Sequence, residues 1–164
     1  MTTIVGRRQE LLLDRAGGDR DVELLMGLLT TARRVIRAYN AGLAEHDVTD
    51  GRFAALLAID AEPGITPAAL ADRLVVTRAT VTGLVDNLVK RDLVIREADE
   101  TDRRTLALHL TEDGRATVAT VAPLVTGWFT AVADGIEPAD RDAAWRTFAQ
   151  IQANVRDRSP GTDV

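Results

Sequence analysis

Along most of this chain apolar residues recur at helical spacing, but between Leu93 and Leu110 they do not. Leu93-Val94-Ile95 is a short apolar run, and Thr105-Leu106-Ala107-Leu108-His109-Leu110 alternates with leucines at every second position. That period of two marks a half-buried strand. The polar stretch Ala98–Arg104, ADETDRR, lies between the two runs. The expected structure is a two-stranded hairpin with a charged tip, set in an otherwise helical chain.

Residues 19–46 read as one long amphipathic helix, with Leu25, Leu28, Leu29, Ala32, Val35, Ile36, Tyr39 and Leu43 on its stripe. Thr49 or Asp50 caps a shorter helix carrying Phe53, Leu56, Leu57 and Ile59. Glu62-Pro63-Gly64 is a turn, and Thr66-Pro67 is an N-cap followed by proline at the first helical position. The helix it opens, Pro67–Leu74, is short. Val75-Val76-Thr77 breaks the chain, and Thr77 caps a further helix to about Arg91. Beyond the hairpin, Thr111-Glu112-Asp113 opens a helix with Val118, Val121, Val125, Trp128, Phe129 and Val132, in which Pro123 should kink or interrupt the ladder. Asp134-Gly135 ends it. Glu137-Pro138 opens the last helix, with Trp145, Phe148, Ile151 and Val155 on one face. Residues 1–18 form a leader whose leucines, Leu11 to Leu13, can make a short helix stopped at Gly17-Gly18, and residues 159–164 are a loose tail.

Composition excludes several classes. With 164 residues the chain is too short for two full domains. There is no cysteine, hence no disulfide, no thiolate metal site and no thiol nucleophile. His46 and His109 lie far apart, which disfavours a histidine metal site, and no cofactor is implied. No apolar run is long enough to cross a membrane, and the N-terminus lacks the pattern of a signal peptide, so a cytoplasmic protein is expected. None of G-x-S-x-G, a P-loop or H-E-x-x-H is present, so no catalytic residues are assigned and the chain is not expected to be an enzyme. The net charge is −5, from 20 basic and 25 acidic residues, which excludes a general polyanion binder. All the basic residues except Lys90 are arginine, a bias that codon usage in a GC-rich genome accounts for.

The helix after Thr77 carries the chemistry. Val81, Leu84, Val85 and Leu88 make its buried stripe, while Arg78, Thr80, Thr82, Gly83 and Asn87 fall elsewhere. Its exposed N-terminal part is short, polar and free of acids. A helix entering a major groove needs small side chains for close approach, and hydroxyls and a guanidinium to reach base edges. The order short helix, short helix, turn, longer helix, hairpin is that of a winged helix-turn-helix.

At these residues the chain resembles the multiple-antibiotic-resistance regulator (MarR) family. The similar features lie in residues 65–115: L-A-D-R-L, T-R-A-T-V-T opening the third helix, L-V-x-x-L-x-K-R closing it, and D-x-R at Asp102 to Arg104 followed by Leu110-Thr111. This block is about a third of the chain. The flanking helices match the family's layout by pattern. The resemblance implies a mainly α fold, a three-helix lobe plus two-stranded β wing over residues 49–110, with long dimerisation helices over 19–48 and 111–158. It implies a homodimeric transcription regulator, with double-stranded DNA as partner. Thr77, Arg78, Thr80 and Thr82 would serve the major groove, with Arg103 and Arg104 at the wing tip for the minor groove or its phosphates. Asp102 would anchor the wing by pairing with an arginine. Family members often bind small aromatic acids near the first two helices of this layout. Arg37, Tyr39, His46 and Phe53 are the candidates here for a phenolic or anionic effector.

Asp92 stands where the family usually has glycine, which predicts a left-handed residue at a cost of roughly 1 kcal/mol. Residues 73–104 hold seven basic and six acidic side chains, so non-specific DNA affinity should be modest. The terminal helices carry more apolar surface than a small lobe can cover. Two lobes related by a two-fold axis would place their recognition helices in successive major grooves roughly 34 Å apart, on an imperfect palindrome. The acidic balance also suits a winged helix that binds protein instead of DNA. Lys90 and Arg91 either complement the helix C-terminus or reach phosphate.

Overall fold

The computed structural model describes residue 15, residues 17–98 and residues 106–158. Among these are six helices longer than one turn and one hairpin: α1 (Arg20–Ala44), α2 (Asp50–Ala61), α3 (Pro67–Leu74), α4 (Arg78–Lys90), β1 (Val94–Ala98), β2 (Leu106–Leu110), α5 (Glu112–Val132) and α6 (Pro138–Arg158). The chain divides into two compact units, Met1–Asp50 and Gly51–Val164. The expected leader helix at Leu11 to Leu13, the wing tip and the tail after Arg158 lie outside the described residues. Gly17 and Gly18 both take positive φ, 64° and 78°, which glycine adopts without steric cost. No described helix is long and apolar enough to cross a membrane.

In the first unit, α1 is capped by Asp19, whose carboxylate accepts from the amides of Asp21 and Val22. At its other end Asp47 adopts φ 56° and the Val48 amide reaches back to the Leu43 carbonyl at 3.2 Å. That is the six-to-one bond of a Schellman stop, with aspartate in the place glycine usually takes. Of the apolar stripe read from the sequence only Leu43 is buried; Leu25, Leu29 and Ile36 are exposed. Thr30 is buried instead, its hydroxyl donating to the Met26 carbonyl at 2.9 Å.

The second unit has one apolar core. Leu56 and Ile59 of α2, Leu70 of α3, Val81, Val85 and Leu88 of α4, Val94 of β1 and Leu108 of β2 are all essentially inaccessible. Leu57, expected inside, is 39% exposed: the apolar run of α2 is wider than the face it presents to this core. Three threonines start three helices as expected. Thr66 Oγ1 accepts from the Ala69 amide at 3.1 Å, Thr77 Oγ1 from Thr80 at 3.2 Å and Thr111 Oγ1 from Gly114 at 3.0 Å.

The hairpin pairs β1 and β2 antiparallel, from Val94 opposite Leu110 to Ala98 opposite Leu106. Its first strand extends to Ala98, further than the apolar run indicated, because backbone pairing rather than side-chain burial defines the outer part. Leucine alternation also fails there. Leu106 is exposed and Ala107 is buried, so the core covers only the inner half of β2. Ile65 adds a third short segment, its carbonyl accepting from Leu108 at 3.0 Å while Gly64, at φ 89°, donates to the Leu108 carbonyl at 2.9 Å. The turn Glu62-Pro63-Gly64 thereby docks α3 on the hairpin.

Pro123 does not interrupt α5, which runs unbroken from Glu112 to Val132. Ala119 and Pro123 are both exposed, so the carbonyl that loses its helical partner lies on the solvent side and water can satisfy it. Gly135 ends the segment at φ 74°, and Pro138 opens α6 as expected.

Between α3 and α4 the chain turns through Val75 at φ 55°. The Val75 and Val76 amides both bond to the Ala71 carbonyl, closing a Schellman stop. A β-branched residue in this conformation is strained. Val75 is 66% exposed, so its side chain contributes little packing in return. Val75→Gly therefore raises stability by about 1 kcal/mol. Denaturant melts check this; a lower midpoint would contradict it.

Candidate nucleic-acid interface

Three apolar residues on one side of α4, Val81, Val85 and Leu88, are sunk in the core and set its rotation. What remains outside is Arg78, Thr80 and Thr82, all exposed, with Thr77 as the exposed cap. No acidic residue lies in the first turn of α4. The helix dipole and free first-turn amides there favour an anion.

The hydroxyls on this face are already ordered. Thr77 Oγ1 and Thr80 Oγ1 share a hydrogen bond of 2.9 Å, and Thr82 Oγ1 donates to the Arg78 carbonyl at 3.0 Å. Arg78 itself has no ion pair among the described residues. Two other lobe cations are neutralised. Arg73 Nη1 pairs with Glu62 Oε2 at 2.6 Å, and Arg96 Nη2 pairs with Asp86 Oδ1. Arg78 thus stands as an unneutralised cation at the front of α4 among the described residues, with Lys90 at the far end of the same helix.

Among the described residues, two links tie the wing to α4. Arg96 on β1 and Asp86 on α4 make one link. The other is Thr111: its amide donates to the Leu93 carbonyl at 3.1 Å and its hydroxyl to the Asp92 carbonyl at 2.6 Å. Asp92 takes φ 57°, as its glycine-like position predicted. The three groups that hold the exit of α4 against the base of the wing are therefore Thr111, Asp92 and Leu93. Neither Arg96, Asp86 nor the second role of Thr111 was read from the sequence. The ten-residue separation of Arg96 and Asp86 matches no local period, and only the path of the hairpin brings them together.

Arg103, Arg104 and Asp102 lie outside the described residues. Of the effector candidates, Arg37 and His46 are exposed, Tyr39 is half-buried and Phe53 is buried in the second unit. Burial first, and then the charge and hydrogen bond of Asp50, push the Tyr39 phenol from 10.0 up to about 12. A raised tyrosine favours the folded state fully below pH 10.0 and loses that advantage as pH rises toward 12. Tyr39 is the only tyrosine. Its phenolate absorbance should therefore appear late in an alkaline titration. Asp50→Asn should shift it only part of the way back, because burial remains. A titration at the ordinary value would contradict both the burial of the ring and its hydrogen bond to Asp50.

Comparison with known proteins agrees with this geometry. The MarR family model matches residues 46–105. The transcriptional regulator SarZ of Staphylococcus aureus is 31% identical over 94 residues, 57% of this chain and 64% of SarZ. The match thus spans less than two thirds of that relative's length. Among solved structures, the transcriptional repressor CouR, bound to a 23-mer DNA duplex, is 30% identical with a TM-score of 0.69, over 79% of this chain and 92% of CouR. The MarR family transcription regulator SP03579 shares the fold at 17% identity, with a TM-score of 0.70 over 92% of this chain and 93% of that one. A winged lobe with this recognition-helix face, a family model over its length and 30% identity to CouR across nearly all of CouR lead to one conclusion: the chain belongs to the MarR family.

Proposed function

We propose that this protein is a homodimeric DNA-binding transcriptional repressor that occupies an imperfect palindrome at its own or a neighbouring promoter and is released by a small phenolic or anionic aromatic effector. The observation that carries the DNA-binding part is the exposed, acid-free face of α4, with Arg78 unpaired among the described residues while Arg73 and Arg96 are neutralised. An arginine without an ion pair among the described residues, placed at the start of the recognition helix, suits placed contacts rather than bulk attraction. The likeness to CouR, a transcriptional repressor solved on a DNA duplex, supports the regulatory class.

Dimerisation is supported by apolar side chains left in solvent on the terminal helices. Ile36 of α1, Phe129 and Val132 of α5, and Trp145, Phe148 and Val155 of α6 are exposed, Trp145 by 73%. Exposed apolar area on this scale marks an association surface. Two lobes are also needed to read two half-sites one helical turn apart. Arg103 and Arg104 extend each lobe's reach along the duplex, and Asp102 steadies the wing through an arginine.

For the effector, Arg37 supplies the counter-charge, with Tyr39 and His46 of the same unit as its aromatic partners. Such a ligand acts only through its different affinity for the DNA-competent and released forms. Calorimetry with aromatic carboxylates should show weaker binding to Arg37→Ala; unchanged affinity removes Arg37 from the site.

The decisive experiment is selection of bound duplexes from a random pool, followed by retardation at increasing salt. The expected result is a palindromic consensus with half-sites one turn apart and binding that falls steeply with salt. Failure to enrich any sequence, or sedimentation as a monomer at micromolar concentration, overturns the proposal.

A further inference from the structure

The three threonines at the front of α4 offer different chemistry. Thr77 and Thr80 share one hydroxyl hydrogen between their oxygens, which leaves the pair one hydrogen to give away. Thr82 has none to give. Its single hydroxyl hydrogen is committed to the Arg78 carbonyl one turn back. The same bond back to the carbonyl four residues earlier is made by Thr117, Thr126, Thr130 and Thr147 on the other helices, so it is the ordinary resting state of a helical threonine in this chain. With the hydroxyl turned along the helix, exposed Thr82 shows its surroundings a methyl group and oxygen lone pairs, but no donor.

Base edges in a major groove are distinguished by donors, acceptors and one apolar feature, the thymine methyl. Donors on this face are already supplied by Arg78 and by the Thr77–Thr80 pair. These suit guanine acceptors or phosphate oxygens. A side chain that cannot donate without first breaking an internal bond offers a base edge its lone pairs or its methyl, and the methyl, which faces outward with no partner of its own, is the group suited to the thymine methyl. Gly83, next in the chain, is exposed and adds no side chain to hold a base pair away.

We propose, on the footing of the DNA-binding reading above, that Thr82 is a specificity-determining residue that recognises a thymine through its own methyl group. Its hydroxyl serves the helix and not the base. Thr82 thereby favours one T·A pair in each half-site without a hydrogen bond to it.

The test uses the full chain and the duplex obtained by selection. Thymines of each half-site are replaced one at a time by deoxyuridine, which removes only the methyl. One thymine per half-site should matter, with a loss of about fourfold per half-site, the worth of one buried methyl-sized group. Thr82→Ser, which keeps the hydroxyl and drops the methyl, should bind the two duplexes equally. Thr82→Val, which keeps the methyl and drops the hydroxyl, should preserve the ratio between them. Circular dichroism melts confirm that both variants fold. The proposal is overturned if no thymine is sensitive, if Thr82→Ser still discriminates, or if Thr82→Val loses the ratio. A wild-type chain that binds duplex but shows none of this coupling overturns the Thr82 assignment alone. A chain that retains no duplex overturns the DNA-binding reading and this assignment with it.

Discussion

Gly114→Ala lowers the melting temperature by about 6–12 °C, the equivalent of about 3 kcal/mol in a chain of this size. Inside a helix this substitution ordinarily stabilises, by up to about 1 kcal/mol. Here the sign reverses. A β-carbon on Gly114 would sit 2.1 Å from the Leu93 carbonyl oxygen, 3.1 Å from its carbon and 3.4 Å from Leu110 Cβ. The obstacle is backbone, so no rotamer relieves it. That same oxygen accepts the Thr111 amide, and the Thr111 hydroxyl holds the neighbouring Asp92 carbonyl. Relief therefore requires the start of α5 to move away from the exit of α4, and both bonds weaken together. The damage falls on the joint between recognition helix and wing, so DNA affinity should drop in Gly114→Ala even where the protein is folded. Gly127→Ala is the internal control. It lies in the same helix, has nothing within 4 Å of the added carbon, and should melt slightly higher than wild type. A Gly114→Ala protein melting at or above wild type would show that the two backbone segments can separate freely.

Arg78→Ala weakens binding to the selected duplex by about tenfold to more than a hundredfold, the usual worth of a well-placed arginine on a base edge. The salt dependence identifies its target. If Arg78 neutralises phosphate, the slope of log affinity against log salt shrinks by about one for each half-site; if it reads guanine, specificity relaxes at one base pair instead. Fluorescence anisotropy across a salt series separates these outcomes. Arg73→Ala and Arg96→Ala serve as comparisons. Each of those arginines has a carboxylate partner within the lobe, so each should change the salt slope less than Arg78 does. Reversing the charge of Arg78 together with Arg103 and Arg104 should abolish retardation. Retained binding in that triple variant would remove the recognition helix and wing from the interface.

Much of the lobe was legible because its signals are local. Thr66, Thr77 and Thr111 each precede an apolar period by one turn, and a threonine cap works through atoms three residues away. Val81, Val85 and Leu88 recur at helical spacing, which forces them to one side and leaves Arg78, Thr80 and Thr82 on others. Asp92 could be read as left-handed because it stands where the resembled family usually has glycine. The expectations that failed were those that needed knowledge of what covers a surface. Leu57, Leu106, Leu25 and Ile36 sit at positions of the right period, yet they are exposed. Periodicity states which residues share a face; it does not state how far a neighbour extends over it.

Pro123 and Val75 teach the same point from the backbone side. Proline was expected to disturb α5, yet the helix continues because the orphaned carbonyl lies on the solvent side. Nothing about two consecutive valines announces a left-handed stop, but the turn from α3 into α4 places Val75 there. By itself, then, the order of residues determined the helices, the hairpin, the caps and the polar front of the recognition helix, since each depends on atoms within about one turn or one strand pair. The tertiary structure alone decided which arginines are spent on Glu62 and Asp86, how Thr111 locks α4 to the wing, and where Gly114 must remain bare. Those depend on segments 10 to 21 residues apart meeting at close contact, and no local period encodes such a meeting.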